Sequence, residues 1–126
     1  MENKLNKDLQ KRPFEFSCQW KEAFENEEFL SAFTNEILER YLPEKRWYAG
    51  KSSSLKYIEI NDYFKMHSTQ NHYFGILIEV HFKESFFQNY FLPIAFMEGK
   101  ELDTNTLIAA ASFDGYDGYL VDALHI

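Results

Sequence analysis

The sequence contains four histidines and 20 acidic residues, which are the first candidates for acid–base chemistry or metal binding. A metal site needs ligands that converge in a defined geometry, and close His or Cys spacing usually indicates one. His67, His72, His81 and His125 show no such spacing with one another, with Cys18 or with a nearby set of carboxylates. We therefore interpret them as surface or satisfied histidines, and Cys18 as a small buried hydrophobic residue.

Phosphate binding is the second chemistry to test. A glycine-rich phosphate loop needs closely spaced glycines that lead into a helix. Gly115 and Gly118 are the closest pair, but Asp114 and Asp117 stand beside them and would repel phosphate. The segment also lacks the ligand spacing of a calcium loop. We interpret it as a turn, and the sequence predicts no catalytic, cofactor or metal site in this chain.

Composition limits the class of partner. The formal net charge is −7 and the pI about 5.0, whereas a duplex-binding protein needs cationic groups that displace counterions from phosphates. The same charge disfavours anionic membranes, and the polar start MENKLNKDLQKR has no apolar signal core. We expect a cytoplasmic chain with no nucleic-acid or membrane partner, a flexible tail over 1–12 and one folded domain over 13–126.

One helix is predicted by the spacing of apolar residues. Phe33, Ile37 and Tyr41 recur at four-residue steps, with glutamates on the opposite face, and predict a helix over 27–41. Asn26 is the predicted N-cap. Pro43 should end the helix, because the residue before a proline avoids helical angles.

The rest of the chain has the patterns of strands. Alternating residues predict extended segments over 14–20, 55–61, 73–82 and 86–96, joined in part by short polar hairpin linkers at 66–72 and 83–85. Pro93 should lie at an edge or bulge. Residues 106–112 and 119–126 are predicted as further strands, on either side of the turn at 114–118. One main helix and a meander of strands indicate an α+β fold, with the helix packed on an antiparallel sheet.

One segment departs from this background. Residues 41–51 read YLPEKRWYAGK, which resembles the LP-x-x-RW-[FY]-A-G-[KR] signature of maltokinases, both stand-alone and fused to trehalose synthase. GYLVDAL at 118–124 is similar to the family's G-x-L-x-DA-L stretch. The order of elements between them also resembles the family, so the likeness covers about residues 27–126. Its signature residues here are Leu42, Pro43, Arg46, Trp47, Tyr48, Ala49, Gly50, Lys51, Asp122 and Ala123.

The resemblance implies a non-catalytic N-terminal cap domain, with a helix laid on a curved antiparallel sheet of cystatin-like topology. Maltokinases phosphorylate the anomeric hydroxyl of maltose with ATP and Mg²⁺, and the maltose 1-phosphate serves glycogen and other α-glucan synthesis. ATP and Mg²⁺ would belong to the kinase lobes, because the lysine, aspartate and Mg²⁺-binding motifs of phosphoryl transfer have no equivalent here. The implied partners are those lobes and, in fused enzymes, a trehalose synthase domain.

Several alternatives stay open. The signature could form a buried corner that ties helix to sheet, with Arg46 on the helix-end carbonyls, or a docking point for the nucleotide lobe. The chain could instead be a free-standing binding module, or a cystatin-like protease inhibitor, although the Q-x-V-x-G hairpin signature of that family is absent. We also expect an exposed apolar patch at Leu120, Leu124 or Ile126, through which the chain could self-associate.

Overall fold

The computed structural model describes residues 13–44, 54–67, 72–98 and 106–123. The predicted tail over 1–12 lies outside these ranges. Within them the chain forms one main helix, α1, and a curled six-stranded mixed sheet, a half-barrel, which confirms the α+β prediction. The strands are β1 Phe14–Phe16, β2 Leu55–His67, β3 His72–Phe82, β4 Phe87–Met97, β5 Leu107–Phe113 and β6 Tyr116–Asp122.

Helix α1 is a continuous run of three segments: α-helical Glu27–Ala32, a π-helical turn Phe33–Ile37 and α-helical Leu38–Tyr41. The predicted cap is confirmed, because the Asn26 side chain accepts a hydrogen bond from the Phe29 backbone N–H at 2.9 Å. The predicted face is buried, since Phe33, Ile37 and Tyr41 are at most 1% exposed. A short 3-10 helix, Leu42–Glu44, follows α1 and contains Pro43.

The strands follow the order β1-β5-β6-β4-β3-β2. The pairs of β2 with β3, β3 with β4, β4 with β6, and β5 with β6 are antiparallel, as predicted. The short strand β1 differs, because it pairs parallel with β5, with Phe14 opposite Ala111. This parallel pair joins the start of the described chain to its last hairpin.

Three predicted boundaries were wrong. The extended segment over 14–20 ends at Phe16, and Trp20 begins a 3-10 helix, Trp20–Glu25, that buries Trp20, Ala23 and Phe24. Strand β2 continues six residues past the predicted end at Asn61. Asp117 and Gly118 belong to β6 rather than to a turn, because the hairpin turns within Asp114–Gly115, where both residues have positive φ.

The predicted edge or bulge position of Pro93 was wrong, because Pro93 lies in a central strand whose pairing with β3 shows no bulge. It is opposite Gly75 of β3, but the pairing of β4 with β6 covers only Ile94 to Met97. Pro93 therefore lies just outside the ladder with β6, where a missing N–H costs no hydrogen bond on that side.

Aromatic rings fill the core between the helix and the inner face of the sheet. Phe24 packs on Phe74 with 4.7 Å between ring centroids, and Trp20 meets the same ring edge-on at 5.1 Å. Phe33 adds contacts to Phe24 and Phe29 at 5.6 and 5.2 Å. The high aromatic content therefore builds one core that holds helix and sheet together.

Candidate functional site

The two stretches that carry the family resemblance, 41–51 and 118–124, are in contact through Tyr41 and Asp122. Leu42 follows the last turn of α1 and is 1% exposed, whereas Asp122 ends β6 and is 5% exposed. The Tyr41 hydroxyl donates to Asp122 Oδ2 at 3.5 Å, across 81 positions of sequence. The Asp122 backbone N–H also donates to the Thr106 carbonyl oxygen at 2.8 Å. A carboxylate buried this far is retained only with polar partners, so this contact is a structural junction of helix and sheet.

Of the other signature residues, two belong to the described structure and the rest do not. Pro43 is exposed and Ala123 is half-buried. Arg46, Trp47, Tyr48 and the remainder of the signature, Ala49 to Lys51, lie outside the described residues. Leu42 and Asp122 are buried, but whether the signature block forms a buried corner or a docking point stays a prediction, as do the roles of Arg46 and Lys51.

The sequence predicts an exposed apolar patch at Leu120, Leu124 or Ile126, but the described structure exposes its apolar side chains elsewhere. Leu120 is 0% exposed, because it lies on the inner side of β6 within the core cluster. Leu120 therefore does not form the predicted patch, while Leu124 and Ile126 lie outside the described residues and their exposure stays a prediction. Leu120 is opposite Phe96 of β4 and Ala109 of β5, and its side chain belongs to the core cluster.

Exposed apolar side chains are concentrated instead on the outer face of β2, β3 and β4, the face opposite the helix. We call this surface the outer face; its exposed large hydrophobic residues are Tyr57, Phe64, Leu77, Phe87 and Phe91, each 40–52% exposed. The rings of Phe64 and Phe91 stack at 6.0 Å above Gly75, where a Cβ would come within 2.9 Å of both rings. Glycine at that position lets the two rings cover the strand between them.

A row of three rings crosses the same face. His81 of β3 is opposite both Tyr57 of β2 and Phe87 of β4. The imidazole stacks on Tyr57 at 4.2 Å between centroids and on Phe87 at 5.4 Å. The ring is held on both faces, so its orientation is set by packing.

Beside this row lies a cluster of His81, Glu79 and Glu59, called here the His–Glu cluster. His81 Nε2 lies 2.5 Å from Glu79 Oε1 and 3.9 Å from Glu59 Oε2, and Asn61 Nδ2 donates to Glu79 Oε2 at 2.9 Å. The prediction that His81 has no nearby carboxylate set was wrong. Glu79 and His81 are two residues apart on a strand and so share a face, a signal that sequence reasoning could have used. Glu59 joins them only through the pairing of β2 with β3.

Two groups in the described structure have shifted pKa values. The pKa of Glu79 is lowered, mainly by the hydrogen bond from Asn61, with a smaller contribution from His81. The pKa of the Cys18 thiol is raised, chiefly because partial burial disfavours the thiolate. Cys18 was predicted to be a small buried hydrophobic residue, but it is half-buried and packs against the core cluster.

A separate apolar groove is lined in part by residues of β4, β5 and β6. It has a volume of about 260 Å³ and its walls include Trp20, Phe96, Phe113 and Tyr116. Ligand pockets are usually larger, about 300–1,000 Å³, with convergent polar groups. We assign no ligand to this groove. No helix in the described part of the chain is long and apolar enough to cross a membrane.

The fold and the junction define a class: a helix-on-sheet domain in which the end of the helix is bonded to the last described strand. A family model described as the maltokinase N-terminal cap domain matches residues 41–125. The chain belongs to this family, and the match begins at the end of α1 and runs through β6. No curated protein matches the chain.

Proposed function

We propose that this chain caps a maltokinase whose kinase lobes transfer phosphate from ATP, with Mg²⁺, to maltose, and that the cap supplies no catalytic group. The family match over residues 41–125 carries the proposal. The partners are the kinase lobes and, in a fused enzyme, a trehalose synthase domain. The reaction would serve α-glucan and glycogen synthesis in the cytoplasm.

The junction explains how a cap could act without chemistry. Asp122 and Tyr41 tie the last described strand to the end of α1, so the signature segment that follows starts from a fixed corner. A rigid corner can present that segment to a neighbouring lobe in one orientation. Arg46 and Lys51 would then contribute charge to that contact.

The test compares the isolated chain with the protein isolated from its source. Protein captured from the source organism with an antibody to this chain should form maltose 1-phosphate from maltose and ATP. The purified 126-residue chain should form none and should not bind ATP tightly. Maltose 1-phosphate formation by the purified chain would refute a non-catalytic cap, and captured protein without that activity would refute the maltokinase assignment.

A second candidate is a free-standing interaction module with a cystatin-like fold, and the exposed outer face favours it. Sedimentation of the isolated chain would test self-association through that face. A dimer that dissociates in Phe64→Ser/Phe91→Ser would support the module. A monomer at every concentration tested would count against self-association.

A further inference from the structure

The His–Glu cluster has the donors of a metal site. His81 offers an imidazole nitrogen, while Glu79 and Glu59 each offer a carboxylate oxygen, and the three ligand atoms lie within 4.8 Å of one another. From these positions we propose that the cluster binds a divalent transition ion of the Zn²⁺ class and thereby clips edge strand β2 to β3. The inference stands apart from the maltokinase assignment, because it uses only these strands.

The distances fit zinc after small side-chain rotations. Zn–N and Zn–O bonds of about 2.0–2.2 Å place tetrahedral ligand atoms roughly 3.3 Å apart. The two separations from His81 Nε2, 2.5 Å to Glu79 and 3.9 Å to Glu59, lie on either side of that value. The Glu59 side chain is 60% exposed and free to turn inward. Three protein ligands leave a fourth position for water.

Charge gives a second reason for a cation. Glu59 and Glu79 are directly opposite in the ladder between β2 and β3. Like charges at such a position destabilise a strand pair. A divalent ion between them would turn this repulsion into attraction, and it would do so at β2, the edge strand of the described sheet.

The surroundings hold the ligands in place. Tyr57 and Phe87 fix the His81 ring from both faces, and Asn61 holds the second oxygen of Glu79. Such outer contacts orient metal ligands and raise affinity. Zinc would replace the proton on Nε2, which leaves to solvent from a charged ring or moves to Nδ1 in a neutral one.

The mixed donors select among ions. One imidazole with two carboxylates suits zinc and its neighbours, whereas Mg²⁺ prefers an all-oxygen shell with several waters. We therefore expect Zn²⁺ to bind with 1:1 stoichiometry and to raise the melting temperature with increasing concentration. Mg²⁺ at the same concentration should do neither.

The test titrates Zn²⁺ into the full chain carrying Cys18→Ser, which removes a competing thiol. His81→Phe keeps a ring between Tyr57 and Phe87 but removes the nitrogen, so it separates ligation from packing. Loss of an outer contact typically lowers metal affinity by roughly 10- to 100-fold. His81→Phe removes a ligand and should lower zinc affinity by at least that factor. Glu59→Gln should lower affinity by at least about tenfold, while Glu36→Gln on the exposed side of α1 should change nothing.

Nuclear magnetic resonance supplies a readout at the site. The imidazole signals of His81 should shift on adding Zn²⁺, and this shift should be absent in His81→Phe, whose amide spectrum should otherwise show a folded protein. Equal zinc affinity in His81→Phe and in the parent would overturn the proposal. Equal responses to Zn²⁺ and Mg²⁺ would also overturn it, because they would indicate non-selective attraction to carboxylates.

Discussion

The two faces of β3 differ in burial and in the side chains that they carry. On the inner face Ile76, Ile78 and Val80 are 0% exposed, whereas Leu77 on the outer face is 40% exposed. Glu79 and His81 share the outer face and pair with each other there. In the described structure helix α1 and the core cluster lie on the inner face, and the alternation along β3 already marks that face, since polar and charged residues share the outer one.

The largest contrast should appear when one aromatic ring is removed from each face. Phe33→Ala should lower the free energy of unfolding by about 3–5 kcal/mol, because it leaves a cavity among buried rings. Phe91→Ala, at a site 48% exposed, should cost less than about 1 kcal/mol. Urea denaturation of both variants measures the difference, and equal losses would show that the outer face is also a packed interior.

A second contrast concerns two glycines with crowded surroundings. A Cβ at Gly118 would lie 2.6 Å from the Met97 carbonyl oxygen, a backbone atom that cannot move aside. Gly118→Ala should therefore cost about 1–3 kcal/mol. At Gly75 the neighbours are the rings of Phe64 and Phe91, which are exposed and can turn away. Gly75→Ala should cost less than Gly118→Ala in thermal melts, and the reverse order would contradict this account of the outer face.

A third test compares the same substitution at two asparagines of α1. Asn26→Ala removes the N-cap and should cost about 1 kcal/mol. Asn35 lies on the exposed side, where its amide donates to the Ser31 hydroxyl, and Asn35→Ala should change stability by less than about 0.5 kcal/mol. Chemical denaturation should separate the two, and a similar loss in both would mean that the Asn26 cap contributes nothing specific.

The smallest effect concerns pH and is confined to the outer face. The pKa of Glu79 is lower in the folded chain than the value of about 4.3 for an unperturbed glutamate. Its ionised form therefore stabilises the fold above that value, and the stabilisation is lost as pH falls through the folded pKa. Melting temperature should fall less steeply below about pH 4 in Glu79→Gln than in the parent. Phe33 itself carries no titratable group, so Phe33→Ala should keep the parent's pH dependence.

Nuclear magnetic resonance titration can locate the cause of this shift. Asn61→Ala removes the largest contribution and should raise the pKa of Glu79 toward its ordinary value. An unchanged Glu79 titration in that variant would assign the shift to His81 instead.

Local patterns predicted much of the fold because they depend on neighbouring residues alone. The helix over 27–41, its Asn26 cap and its buried face follow from a period of 3.6, and the strands over 73–82 and 86–96 follow from a period of two. Boundaries were less predictable. β2 continues past Asn61 because β3 offers partners as far as His72, which the residues of β2 do not reveal.

The candidate sites likewise combine features that contiguous sequence predicts with contacts that only the folded chain creates. The sequence by itself determined the family, since the signature over 41–51 and the GYLVDAL stretch are contiguous strings of residues that match a family model. Only the tertiary structure decided that Tyr41 meets Asp122, that Leu120 is buried and that Glu59 joins Glu79 and His81. The physical reason is that these contacts depend on strand register and on which sheet face the helix covers, and both are properties of the packed chain as a whole.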